Sequence, residues 1–115
     1  MIKTPFVAHP PSILVVHADA DIGATCKAAG ASMGIPVRRA PTIEAAGSIV
    51  RDTRPYVIAY DASLASEVVA TIGELAAGVD AGLVPLQGGE PQEALTTRLR
   101  EACEAAESRR KQTPA

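Results

Sequence analysis

Apolar residues fall into two alternating rhythms along this chain: short unbroken runs, and longer stretches where they recur every three or four positions. Ile13-Leu14-Val15-Val16 is an unbroken, largely β-branched run, the pattern of a strand buried on both faces. Asp19-Ala20-Asp21 follows and offers an N-cap and early negative charge to a helix. Ile22, Cys26, Ala29 and Met33 then recur at helical spacing, and Gly34 is placed to stop that helix. Ile35-Pro36-Val37-Arg38-Arg39 predicts a short second strand. Pro36 has no N–H to give to a ladder, so this strand belongs at an edge.

Pro41-Thr42 opens a second helix with Ile43, Ala46, Ile49 and Val50 as its apolar stripe. Pro55 precedes a third strand, Tyr56-Val57-Ile58-Ala59-Tyr60, which ends at Asp61. A third helix is predicted from Ala62 or Ser63, with Leu64, Val68, Ile72 and Leu75 facing inward. Gly78 to Gly82 turn the chain into Leu83-Val84-Pro85-Leu86, where Pro85 again marks an edge strand. After the loop Gly88-Gly89-Glu90-Pro91, a last helix is predicted from Gln92 to Arg109, with Leu95, Leu99, Ala102 and Ala106 on one face. Residues 1 to 12 hold Pro5, Pro10 and Pro11 and are assigned as an extended leader. Residues 13 to 110 form the domain, and 111 to 115 a flexible tail.

Strand and helix thus alternate four times, which implies an α/β fold: a parallel sheet joined by right-handed crossovers, with helices on both faces. The strongest apolar runs belong in the centre and the proline-bearing strands at the edges, giving the order 2-1-3-4.

Composition narrows the function. The chain has 115 residues, a length that suits one domain. Aromatic residues make up only 3% of it, so Ala, Val, Ile and Leu must pack the core. A net charge of -2 argues against a nucleic-acid binder, and Arg109-Arg110-Lys111 suits a solvated helix end. Cys26 and Cys103 lack metal-ligand spacing and are expected to be reduced and packed. No apolar run reaches membrane-spanning length and Met1-Ile2-Lys3-Thr4-Pro5 has no signal-peptide pattern, so a cytoplasmic location is expected. His9, beside Pro10, has no partner in the sequence and is expected in solvent.

The segments Ile13-Leu14-Val15-Val16, Pro55-Tyr56-Val57-Ile58-Ala59-Tyr60-Asp61, Val84-Pro85-Leu86-Gln87-Gly88 and Glu90-Pro91 resemble, in order, the strands and turns of the receiver domains of bacterial response regulators. The resemblance implies a CheY-like, flavodoxin-type three-layer sandwich with one strand-helix unit missing between Asp61 and Pro91. It also implies that Asp61 holds the place of the phosphorylated aspartate. The departures are concentrated at the chemistry. The family's magnesium-binding acidic pair aligns with His17 and Ala18, and Asp19 falls one position later. The family's hydroxyl residue aligns with Gln87 and its lysine with Glu90.

Phosphoryl transfer to a carboxylate needs a cation on the phosphoryl oxygens and a positive side chain for the developing charge. Asp19 and Asp61 are weak metal candidates, and magnesium is implied only if Asp61 is an atypical phosphoacceptor in a two-component relay. The structural role of Asp61 is to cap the following helix, with His17 as its neighbour across adjacent strand ends and a possible source of pH sensitivity. The reading is therefore a non-catalytic pseudo-receiver, without a cofactor, that binds proteins and, as a homodimer, itself. Loss of a strand-helix unit should expose an edge near Leu83 to Leu86. A small-molecule site built from His17, Asp61 and Gly88-Gly89 is a third alternative, without a complete fingerprint.

Overall fold

Four strands and four helices alternate along residues 10 to 112, the part of the chain that this computed structural model describes, with side chains through residue 109. His9 and the leader through residue 9, and the tail from residue 113, lie outside the described residues. Strand β1 (Ile13–Val16) leads into helix α1 (Ala20–Met33), which starts as its residues dictate. The Asp19 side chain accepts a hydrogen bond from the backbone N–H of Asp21 at 2.8 Å. At the other end Gly34 takes φ +71, a left-handed conformation that costs glycine little. Ile35 N–H reaches back to the Gly30 carbonyl at 2.9 Å. That bond holds Ile35 at the helix end. Strand β2 (Val37–Ala40) consequently begins later than the Ile35 start predicted above.

Helix α2 (Ile43–Thr53) is capped by the Thr42 hydroxyl and ends at Arg54 in a left-handed conformation (φ +45). Strand β3 (Val57–Asp61) follows, then helix α3 (Ser66–Gly78). This helix starts later than Ala62 or Ser63 because a turn intervenes, closed by Leu64 N–H on the Asp61 carbonyl at 3.2 Å. Its N-cap is Ala65, which has no side-chain capping bond. Strand β4 (Gly82–Leu86) and helix α4 (Gln92–Gln112) complete the chain, and α4 runs past the Arg109 at which the periodicity places its end.

All strands are parallel, in the order β2-β1-β3-β4. Alternate residues of each strand feed two cores. Ile13, Val15, Val57 and Ala59 face α1 and α4, and Leu14, Val16 and Ile58 face α2 and α3. Each Ile, Leu or Val fully buried in this way contributes about 1.5–3 kcal/mol. Small residues set the spacing between helix and sheet. At Gly30 an added Cβ would sit 2.6 Å from the Ile35 carbonyl oxygen, so α1 can lie this close only without one.

The faces also explain how the fold ends. Right-handed crossovers place α2 and α3 on one face as the chain steps from β2 to β3 to β4. A further outward step would put the next helix on that same face. Instead α4 packs beside α1 on the opposite face, so it closes the sheet at β4 rather than extending it.

Candidate functional site

Strand ends place the candidate residues. Val16 of β1 is in register with Tyr60 of β3, so the next residues, His17 and Asp61, emerge side by side at the C-terminal edge of the sheet. That is where open α/β sheets carry their sites. His17 Nε2 lies 3.7 Å from Asp61 Oδ2, and both side chains are largely shielded. The other ring nitrogen is already committed: Nδ1 accepts the backbone N–H of Asp19 at 3.0 Å. A neutral imidazole that accepts at Nδ1 carries its proton at Nε2. His17 therefore turns an N–H, not a lone pair, towards the carboxylate.

Asp61 does not cap α3, contrary to the expectation from sequence, because the turn after β3 separates it from that helix. Its Oδ1 instead accepts both the backbone N–H of Ser63 at 2.9 Å and the Ser63 hydroxyl at 2.7 Å. This is an Asx turn, the local bond that aspartate favours over a helix or ladder. The Ser63 hydroxyl, then its backbone N–H, hold the Asp61 carboxyl below its ordinary range against an opposing effect of burial, with His17 adding least.

Two arginines tie the neighbouring loops. Arg39 Nη1 donates to the carbonyl oxygens of His17 at 3.0 Å and Ala18 at 3.3 Å, fixing the β1–α1 turn. Arg98 of α4 forms an ion pair with Glu90 and donates through Nη2 to the Pro85 carbonyl at 2.7 Å. The Glu90 charge is thus matched by Arg98. Gln87 is exposed just beyond β4, and Gly88 and Gly89 both take positive φ in the turn to α4. Asp19 spends Oδ1 on its cap.

A magnesium ion collects oxygens, usually one or two carboxylates with waters. Around Asp61 the structure instead assembles an imidazole N–H, an amide N–H and a hydroxyl. These are donors that complement a carboxylate and do not suit a cation. Among the described residues, no three His, Cys, Asp or Glu side chains converge as a metal site. Cys26 and Cys103 are buried and free. A groove of about 310 Å³ lies at the opposite end of the sheet, between Met33, Tyr56 and Cys103, and does not coincide with the strand ends.

Sequence reasoning missed Ser63, Arg39 and Arg98. The spacing Asp61-x-Ser63 is itself an Asx-turn signal. Arg39 alternates with Val37, so strand pleating puts it on the α1 face. The reach of Arg98 to Pro85 has no local signal.

No protein-family model and no curated protein matches the chain. Solved structures do. The signal receiver domain of a putative LuxO repressor protein from Vibrio parahaemolyticus superposes with a TM-score of 0.69 at 14% identity, over 91% of this chain and 98% of that one. Chemotaxis protein CheY4 of Vibrio cholerae gives 0.58 at 15% identity, over 80% and 98%. The anti-anti-sigma factor PhyR from Bartonella quintana gives 0.67 at 15% identity, over 92% of this chain but only 51% of PhyR. Among the described residues, no helix is long and apolar enough to cross a membrane. With four parallel strands in the order 2-1-3-4, the chain has the fold of a response-regulator receiver domain, shortened by one β-α unit.

Proposed function

We propose that this chain is a non-catalytic, receiver-like module that works in the cytoplasm by binding other proteins in bacterial signalling. Its strand-end site is held in one state by its own side chains, without a phosphorylation cycle or a cofactor. The reading rests on Asp61, whose Oδ1 is occupied by two donors from Ser63 and whose Oδ2 faces the N–H of His17. A carboxylate held by donors keeps its geometry without a cation. Glu90, in the place of a lysine that would meet a phosphoryl group, is itself paired with Arg98. One of the proteins sharing the fold, PhyR, is an anti-anti-sigma factor, which fits a role exercised on another protein. Self-association is one form of that role, and light scattering across a concentration series tests it.

The deciding experiment is incubation with acetyl phosphate and magnesium, followed by intact mass, together with beryllofluoride titration by NMR. The expected result is no mass gain and no shift at the amides of 17 to 19 and 61 to 64. A phosphoryl adduct that disappears in Asp61→Ala would replace this reading with that of an atypical phosphoacceptor.

A further inference from the structure

The open side of β4 carries an inference that is independent of the chemistry at Asp61. In a parallel ladder, alternate residues turn their N–H and C=O to the same neighbour. Gly82 N–H donates to Tyr56 and the Leu86 carbonyl accepts from Ala62, so residues 82, 84 and 86 bond to β3. Leu83 and Pro85 therefore turn their backbone groups outward, along an edge that no strand of the described residues covers. An edge of this kind is a template for an added strand, and Leu83 is the exposed large apolar residue on it, 43% accessible.

Two features close its C-terminal half. Pro85 has no N–H to offer, and its outward carbonyl is taken by Arg98 Nη2 at 2.7 Å. The arginine is held there by its ion pair with Glu90. We propose that Arg98 is a latch on this edge: it excludes strand addition along β4, and the partner it excludes is the β4 strand of a second copy. With the latch in place an incoming strand finds only the Leu83 N–H and C=O, too few for a stable ladder. Without it, the Pro85 carbonyl and the apolar Leu83 side chain become available together.

The test uses the whole chain. Arg98→Met keeps the apolar stem and removes the donors. The expected result is self-association beyond that of wild type, with the mass from light scattering rising above the wild-type value at each concentration. Adding Leu83→Pro should abolish the gain, since it deletes an outward N–H that β3 does not use. A folded Arg98→Met chain that behaves as wild type overturns the proposal, as does a gain that persists with Leu83→Pro. If Arg98→Met fails to fold, Glu90→Gln loosens the latch while keeping the arginine. An increase in association that Leu83→Pro reverses then supports the proposal, and wild-type behaviour overturns it.

Discussion

His17 and Asp61 meet across neighbouring strand ends with Nε2 3.7 Å from Oδ2, and the orientation of that contact is set by a third residue, Asp19, whose backbone N–H occupies Nδ1. The order of events is local to global. The β1–β3 register brings the two side chains together, the Asp19 amide fixes the ring, and Ser63 fixes the carboxylate.

The carboxylate should make the domain acid-sensitive in a defined direction. Bonds from Ser63 place the folded-state pKa of Asp61 below its ordinary 3.8. Its stabilising contribution is then complete well above that value and is lost as pH falls through the lower folded one. Asp61→Ala should cost about 1–2 kcal/mol at neutral pH. The gap between variant and wild type should shrink as pH falls below 3.8 and through the lower folded-state value. Urea unfolding followed by circular dichroism from pH 2.5 to 7 measures both. Asp61→Asn keeps an acceptor for Ser63 and should lose less than the alanine variant.

Replacing glycine by alanine should have opposite signs at two helical positions. At Gly30 the new Cβ would meet Val37 Cγ2 at 2.4 Å and the Ile35 carbonyl oxygen at 2.6 Å. Backbone cannot swing aside, so Gly30→Ala should destabilise by about 1–3 kcal/mol despite its gain in helix propensity. At Gly73, in α3, nothing lies within 4 Å of the added atom. Gly73→Ala should therefore stabilise by up to about 1 kcal/mol. Thermal melts of the two variants decide the matter.

The architecture was legible wherever a local pattern carried it. Ile13 to Val16 and Val57 to Tyr60 are strands because unbroken apolar runs have no other use in a chain this short, and the prolines at 36 and 85 marked the edges. Boundaries failed where a side chain or an amide had a competing bond. Ile35 gave its N–H to the end of α1, and Asp61 closed a turn in place of capping a helix. At the site, the pairing of neighbours 17 and 61 follows from strand register, which a sequence can suggest. The reaches of Arg39 to residue 17 and of Arg98 to residue 85 cross elements, and only tertiary packing determines them.

Both thiols should be poor nucleophiles in the native state. Burial pushes Cys26 up to about 11, with Glu90 adding to the effect. Burial likewise takes Cys103 to about 11, with smaller contributions from Glu104 and Glu107. Since the thiolate is the reactive form, alkylation at pH 8 should be slow in buffer and rapid for both residues in urea. Native-state labelling at a rate close to that of the unfolded chain would contradict the packing of α1 and α4 against the sheet.

Arg39 and Gly23 make the strongest case for energetic coupling. The arginine crosses α1 at a position where an added Cβ on Gly23 would fall 2.6 Å from its Cδ, and beyond that crossing it donates to the carbonyls of His17 and Ala18. In the wild-type background, Gly23→Ala should be destabilising, because the alanine displaces Arg39 and loosens the turn that presents the Asp19 amide to His17. Arg39→Ala alone should cost about 1 kcal/mol through the lost hydrogen bonds. With Arg39 already removed, the same Gly23→Ala change meets no obstacle and gains helix propensity of up to about 1 kcal/mol. The two substitutions should thus be strongly non-additive, with the sign of the glycine effect reversing between backgrounds. Hydrogen exchange at the Asp19 amide should report the same coupling at the site: faster in either single variant, and no faster in the double variant than in Arg39→Ala. Additive stabilities across the four proteins would mean that the arginine and the helix do not press on one another, and that the β1–α1 turn is held by other contacts.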